Sequence, residues 1–179
     1  VMVRKNPEFT TDRLIARELT ESDIPQMFHL HSNPEVMKYI HAIEETIDET
    51  RLTFARMMKY HDKKEGMGLW SVFLKESGAY IGWVILKPLD NTSDIEIGYR
   101  FLPEFWGNGY ATEISHRVCR YGFQVLNLDK IVGITHPENV SSQNVLKKLG
   151  LNFIKISRYY GIEVLFFEMI NPYLAKQSL

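Results

Sequence analysis

The clearest pattern of hydrophobic and polar residues lies between Asp94 and Leu126. From Asp94 to Phe101 the two kinds of residue alternate, which predicts a strand with one buried face. The apolar face consists of Ile95, Ile97, Tyr99 and Phe101, and the other face carries Glu96, Gly98 and Arg100. Further on, apolar residues recur at steps of three and four, at Ala111, Ile114, Val118, Tyr121 and Val125. This spacing predicts a helix over residues 110–126 with one apolar stripe.

A turn that contains two glycines joins this strand to this helix. Pro103 ends the strand, and Gly107 and Gly109 allow the backbone to turn sharply and to approach a ligand without a Cβ in the way. The N–H groups of residues 107–112 are the unpaired donors of a helix start, where the helix dipole also favours negative charge. The turn therefore predicts a binding site for a phosphate or pyrophosphate, although most turns of this kind bind no ligand.

Two familiar phosphate-binding loops do not fit this turn. A P-loop needs a lysine and then a serine or threonine directly after its last glycine, and no such pair follows Gly109. The dinucleotide-binding fingerprint needs a third glycine at the position that Thr112 occupies. The two glycines alone therefore do not identify the ligand.

The remaining residues predict an α+β fold in one domain that spans residues 1–179. Further strands are predicted at residues 13–19, 69–75, 79–87, 130–136, 152–159 and 162–170. Further helices are predicted at residues 24–31, 34–39, 47–62 and 139–149, and Gly150 is a good C-terminal cap for the last of these. The strand at 130–136 is expected to run parallel to the strand that contains Glu96, because a helix connects the two.

Composition and charge narrow the class of protein. A hydrophobic content of 45% over 179 residues is typical of one packed domain. The chain has 21 basic and 22 acidic residues, a formal net charge of −1, so charge gives no support for nucleic acid or a membrane surface as a partner. No run approaches the roughly 20 apolar residues of a transmembrane helix, and residues 1–8 lack the apolar segment of a signal peptide.

The cysteine and histidine residues exclude two further kinds of site. One cysteine, Cys119, leaves no internal disulfide and fits the reducing cytoplasm. It follows Val118 in the predicted helix, so we expect a buried thiol rather than a nucleophile. His29 and His31 would not face each other on a helix, and with His41 they lack a completing set of cysteines or acids. The sequence therefore predicts a cytoplasmic protein without a metal site.

Three blocks of sequence resemble the GNAT acyltransferase superfamily. Residues 106–111 read W-G-N-G-Y-A and are similar to its acetyl-CoA pyrophosphate loop, (Q/R)-x-x-G-x-(G/A), with Trp106 in the Gln/Arg position. The longer reading W-G-x-G-Y-A-T-E is typical of the branch that acetylates the N-termini of ribosomal proteins. Residues 139–151 resemble N-x-x-S-x-x-V-L-x-K-x-G-F, with Leu151 in place of Phe. Residues 11–17 resemble the T-x-R-L-x-L-R start of the same branch.

The resemblance implies the GNAT fold, a mixed and mostly antiparallel central sheet that splays apart at the acetyl-CoA site and is flanked by helices. Pantetheine would pair with backbone groups along the splayed edge near Arg100, Phe101 and Leu102. The pyrophosphate would bind the backbone amides of Gly107, Asn108, Gly109, Tyr110, Ala111 and Thr112. Asn139 and Ser142 would contact the pantetheine arm from the other wall, although Asn139 also fits an ordinary N-cap.

The resemblance also suggests catalytic residues. Glu96 matches the position of a glutamate that acts as a general base directly or through water, although an ion-paired or solvated glutamate fits the strand pattern equally well. Many GNAT members have a tyrosine general acid where this chain has Leu146, so that role cannot be transferred. Ser142 is a candidate to stabilise the thiolate instead, although a capping or packing serine fits as well.

The implied reaction is direct attack of a primary amine on acetyl-CoA in a ternary complex. Within the branch the acceptor would be the N-terminal α-amine of a ribosomal or other protein. Such an amine, with a pKa of about 7.7–8.0, needs a weaker base than a lysine amine with a pKa of about 10.4. An acetyltransferase for small amines, such as polyamines or antibiotics, and a CoA-binding module without turnover are the alternatives. The sequence is compatible with a monomer or a homodimer.

Overall fold

The protein forms a single sheet with helices on both faces. A computed structural model describes residues 7–40, 43–63 and 65–174, with the backbone alone for residues 61–63, so His41 lies outside the described residues. The strands are β1 (Phe9–Thr10), β2 (Leu14–Glu18), β3 (Gly68–Leu74), β4 (Tyr80–Pro88), β5 (Ile95–Phe101), β6 (Lys130–Thr135), β7 (Asn152–Tyr159) and β8 (Ile162–Ile170). The helices are α1 (Ile24–His31), α2 (Pro34–Met37), α3 (Ile47–Lys63), α4 (Tyr110–Gln124) and α5 (Val140–Leu149).

The sheet is mixed and mostly antiparallel, as expected. Its eight strands lie in the order β1-β2-β3-β4-β5-β6-β8-β7, and β5 and β6 are the parallel neighbours. Among the described residues these two strands pair at one position, Glu96 with Val132. By contrast, β5 pairs with β4 along its whole length, from Ile95 to Phe101. The C-terminal halves of β5 and β6 therefore stand apart, which confirms the splayed sheet.

The alternation in β5 directs its side chains to two separate cores. Ile95, Ile97 and Phe101 pack in the core that contains Ile114 and Val118 of α4. The core on the other face combines residues of α1, β3 and β4, including Met27, Leu30, Leu69, Trp83 and Ile85. The even-numbered residues of β5 lie on this second face, where Ile85 approaches Gly98.

Most predicted elements are confirmed, with ends that differ by one or two residues. The helix predicted over residues 110–126 ends at Gln124, so Val125 was wrongly included in the apolar stripe and is 62% exposed. Cys119 is buried, as expected, and burial raises the pKa of its thiol to about 12. Asn139 caps α5, and Gly150 ends it in the left-handed conformation. None of the described helices has the length and apolar character needed to cross a membrane.

Candidate active site

The loop before α4 leaves the start of that helix open. Gly107 and Gly109 have φ values of 76° and 79°, in the left-handed region that other residues rarely adopt. Gly109 is the N-cap of α4, and as a glycine it offers no side chain to bind the first amides. Its carbonyl accepts the first helical bond, from the N–H of Glu113 at 3.0 Å. The amides of Tyr110, Ala111 and Thr112 therefore form the unpaired donor set that an anion can bind.

Two side chains hold the loop in this shape. The indole nitrogen of Trp106 donates to the carbonyl of Phe101 at 2.8 Å, which ties the loop to the end of β5. The side-chain amide of Asn108 donates to the carbonyls of Phe105 and Trp106 at 3.2 and 3.1 Å. Trp106, which departs from the Gln/Arg pattern of the loop, thus has a structural contact of its own.

The three predicted pantetheine contacts, Arg100 and Phe101 at the end of β5 and Leu102 directly after it, differ in where their backbone groups point. The N–H of Leu102 donates to Ile81 at 2.9 Å, toward β4. Because backbone groups alternate between the two edges of a strand, Arg100 also faces β4, whereas Tyr99 and Phe101 face the gap toward β6. Trp106 already occupies the Phe101 carbonyl. The groups available at the splayed edge are therefore the N–H of Phe101 and the backbone of Tyr99.

The side chain of Arg100 lies on the opposite face from α4, in a buried polar cluster. Its guanidinium stacks over the Trp83 ring at 4.8 Å, and burial lowers its pKa to about 10. The Trp83 indole in turn donates to Nε2 of the buried His31 at 3.1 Å. Glu44 places Oε1 3.1 Å from Nδ1 of His31 and accepts a hydrogen bond from Thr50. Although burial opposes it, these contacts lower the pKa of Glu44 to about 2.

The structure places Glu96 in an ion pair. It is 7% exposed and contacts the ammonium of Lys87, the residue directly opposite it on β4. The hydroxyl of Tyr160 donates to Oε1 of Glu96 at 3.1 Å and accepts from Lys87 at 2.6 Å. Burial raises the pKa of Glu96, while Lys87 and Tyr160 act in the opposite direction. The ion pair that fits the strand pattern is thus present, and a base role for Glu96 would operate within it.

Tyr160 is held against Glu96 by the neighbouring turn. Its backbone N–H donates to the carboxylate of Asp90 at 3.1 Å, and the N–H of Asp90 donates to the Tyr160 hydroxyl at 2.8 Å. Both residues have positive φ, 52° for Tyr160 and 46° for Asp90, which is unusual for residues other than glycine. These reciprocal hydrogen bonds join the β7–β8 turn to the β4–β5 turn.

On the opposite wall, Asn139 and Ser142 lie together at the start of α5. The side-chain oxygen of Asn139 accepts from the N–H of Ser142 at 3.1 Å, as an N-cap does. The hydroxyl of Tyr99 donates to the Ser142 carbonyl at 3.1 Å and lies 3.1 Å from its Oγ. Residue 146 is a buried leucine, which has no group that could act as an acid. Tyr99 thus bridges β5 and α5.

A cavity of about 450 Å³ lies between α2, the β6–α5 connection and the start of β8. The Tyr39 ring stacks on His136 in its wall, with the ring centres 5.2 Å apart. The cavity wall also carries Lys38, Glu138, Ile162 and Glu163. The cavity is large enough for a small amine or a peptide end.

Sequence reasoning missed three polar residues of this region. Lys87 lies opposite Glu96, so the β4–β5 register would have indicated it once the hairpin was aligned. Tyr99 was assigned to an apolar face without a role for its hydroxyl. Tyr160 is 64 residues from Glu96, and no local pattern reports that contact. Within the described residues, no group of three or more histidine, cysteine or acidic side chains could hold a metal ion.

Comparison with known proteins identifies similar chains. Residues 13–152 match the family model described as an acetyltransferase (GNAT) domain. The uncharacterized N-acetyltransferase YoaA of Bacillus subtilis is 32% identical over 160 residues, 86% of this chain and 88% of that protein. The FsC-acetyl coenzyme A-N(2)-transacetylase of Aspergillus fumigatus is 30% identical, over 86% and 68% of the two chains. The spermidine N(1)-acetyltransferase of Escherichia coli is 28% identical, over 76% and 71%.

Solved structures share the same fold. The ribosomal-protein-S5-alanine acetyltransferase of Vibrio fischeri superposes with a TM-score of 0.77 at 17% identity, over 93% of this chain and 98% of that one. The spermidine N-acetyltransferase of Vibrio cholerae, solved with CoA and spermine, gives a TM-score of 0.73 at 21% identity, over 90% and 97%. At these identities the match supports the architecture and does not identify an acceptor.

Proposed function

Because the chain belongs to the GNAT acetyltransferase family and is thus an acetyl-CoA-dependent N-acetyltransferase, we propose that its acceptor is the N-terminal α-amine of a protein, with ribosomal proteins as the first candidates. The observation that carries this proposal is the ion pair between Glu96 and Lys87, which Tyr160 completes. Burial keeps the pKa of Glu96 above its ordinary value despite this pair, but a carboxylate is still a weak base compared with an amine. An α-amine, with a pKa of about 7.7–8.0, is partly unprotonated at neutral pH and needs no stronger base.

The cofactor site in this proposal follows the open helix start and the splayed edge. The amides of residues 107–112 would bind the pyrophosphate, because they lack capping groups and lie at the positive end of α4. The N–H of Phe101 would pair with pantetheine on one wall. Asn139 would contact it on the other wall through its side-chain nitrogen, since its oxygen caps α5.

Proton transfer in this proposal depends on residues of both walls. When bound, acetyl-CoA supplies the thioester that the amine attacks. Glu96 would accept the proton of the amine through a water molecule, because Lys87 and Tyr160 already contact its carboxylate. The Ser142 hydroxyl, beside Tyr99, would donate a hydrogen bond to the departing thiolate.

A second candidate acceptor is a small polyamine. The carboxylates of Glu138 and Glu163 in the cavity wall favour a cationic ligand. A spermidine acetyltransferase is also among the relatives of this chain. Lys38 in the same wall weakens this preference, which is why we place the polyamine second.

The test is acetyl-CoA-dependent thiol release with three matched acceptors. These are a peptide with a free N-terminus, the same peptide with a blocked N-terminus and one free lysine, and spermidine. We expect the highest kcat/KM for the free N-terminus, and a loss of kcat of about 10²-fold or more in Glu96→Gln at saturating acetyl-CoA. A preference for spermidine or the lysine peptide would contradict the proposed acceptor, and an unchanged rate in Glu96→Gln would contradict the base.

A further inference from the structure

The start of the domain, residues 11–17, has no part in the site described above. In the structure its first half lies against the first turn of α4. Thr11 Oγ1 donates to Oε1 of Glu113 at 2.6 Å, and the N–H of Arg13 donates to the same oxygen at 3.0 Å. The Arg13 side chain reaches the other oxygen, Oε2, through Nε at 2.7 Å and Nη2 at 2.6 Å. One carboxylate therefore holds Thr11 and Arg13 at the helix start.

These contacts fix an arginine that would otherwise be mobile. The side chain of Arg13 is 48% exposed, and an exposed arginine normally samples many rotamers. Nε and Nη2 both lie against the same oxygen of one carboxylate, and this charge-assisted contact gives the guanidinium a defined geometry. Burial tends to raise the pKa of Glu113, but the hydrogen bonds from Thr11 and Arg13 outweigh it and lower that pKa, so Glu113 is ionised at neutral pH.

The fixed guanidinium lies beside the loop that precedes α4. It stacks over the ring of Tyr110, with the central carbon 4.5 Å from the ring centre. Its Nη2 is 3.6 Å from the point where a Cβ on Gly109 would lie. Nη1 takes no part in the contacts with Glu113, so the guanidinium keeps donors for a further partner. A cation is thus held next to the open amides of the helix start.

The charges explain why such a cation is needed. A carboxylate in the first turn of a helix favours the helix by itself, but it repels a phosphate bound at the same helix end. Glu113 is that carboxylate, and Arg13 neutralises it.

We propose that Arg13 is a positioning residue for the diphosphate of acetyl-CoA, held by Glu113 and Thr11 so that its charge flanks the amides of residues 107–112. This inference rests on the proposed cofactor site and is independent of the acceptor. With this role, residues 11–17 contribute to cofactor binding as well as to strand pairing. Arg17, in the same segment, makes a separate ion pair with Asp23.

The test measures binding of the donor by the full chain without any acceptor. Calorimetry compares Arg13→Gln with the wild type, using acetyl-CoA and, as a donor without phosphate groups, S-acetylpantetheine. We expect the Kd for acetyl-CoA to rise about fivefold to tenfold and that for S-acetylpantetheine to stay unchanged. The difference for acetyl-CoA should shrink at 1 M salt, where the Debye length is only about 3 Å.

Three further variants separate charge from folding. Arg120→Gln, on the exposed face near the other end of α4, removes the same charge and should bind acetyl-CoA as the wild type does. Arg13→Lys keeps the charge without the two-pronged contact and should bind with intermediate affinity. The double variant Arg13→Gln with Glu113→Gln should recover part of the loss, because it removes the unpaired carboxylate.

Two results would overturn the inference. One is an Arg13→Gln protein that binds acetyl-CoA with the wild-type Kd. The other is an equal loss of affinity for acetyl-CoA and S-acetylpantetheine, which would reduce Arg13 to a structural contact. Failure of the wild type itself to bind acetyl-CoA would instead contradict the cofactor site on residues 107–112.

Discussion

Glu96 is subject to opposing influences because it is both buried and paired. Removing a carboxylate from water disfavours its charged form, whereas Lys87 and the Tyr160 hydroxyl favour it. If Glu96 is the base, as proposed above, it works only when it is unprotonated, and the balance then sets the lowest pH at which the enzyme is active. Tyr160 is the partner whose contribution can be removed without leaving a buried charge unpaired, because Lys87 remains.

We therefore predict that Tyr160→Phe moves the acid limb of the kcat/KM profile to higher pH. The reason is the loss of the hydrogen bond from its hydroxyl to Glu96, which lowers the pKa of that carboxyl. Tyr159→Phe is the matched control, because the Tyr159 ring stacks on Phe166 and its position is adjacent in the chain. An acid limb at the same pH in both variants would show that Tyr160 does not act on the base.

At the scale of elements, the connection between β5 and α4 is shaped by Trp106. Its indole hydrogen bond to the Phe101 carbonyl spans the turn, although the side chain is 48% exposed. We predict that Trp106→Phe lowers the free energy of unfolding by about 1 kcal/mol, the usual net contribution of one hydrogen bond. Hydrogen exchange of the Gly107 and Asn108 amides should become faster, while that of α5 amides stays unchanged as an internal control. Unchanged exchange at both glycine-loop amides would contradict this role.

The elements themselves could largely be predicted from local patterns. Alternation identified β5, and the caps Asn139 and Gly150 identified both ends of α5, because these signals come from neighbouring residues. The end of α4 was predicted at residue 126 instead of Gln124, since an apolar residue in register, such as Val125, looks the same whether the helix continues or stops. The partners of the site residues could not be predicted locally. Glu113 meets Arg13 across 100 positions of sequence, and only the folded chain brings them together.

At the scale of the whole molecule, the cluster of His31 and Glu44 makes the free energy of unfolding depend on pH. An acid whose pKa is lower in the folded state stabilises the fold above its unfolded value, and that contribution is lost as pH falls through its folded value. For Glu44 the window runs from its ordinary value of 4.5 down to about 2. The shift corresponds to at most roughly 3 kcal/mol.

We predict that the free energy of unfolding of the wild type falls steeply across this window and that Glu44→Gln has a flatter profile there. Denaturant unfolding at a series of pH values measures both curves. Glu45→Gln is the matched control, because Glu45 is adjacent and exposed. If Glu44→Gln and Glu45→Gln lose stability with the same slope below pH 4.5, the carboxylate of Glu44 does not carry the effect.

In the described part of the chain β5 and β6 pair at one position, which has a consequence for any rotation between the two parts of the sheet. Backbone hydrogen bonding joins the larger part of the sheet, β1 to β5, to the smaller part, β6 to β8, at the level of Glu96 and Val132. A rotation of one part against the other about this point would displace Phe101 and Thr135 most and Glu96 least. Such a rotation would widen the cleft for a long donor and leave the candidate base almost in place.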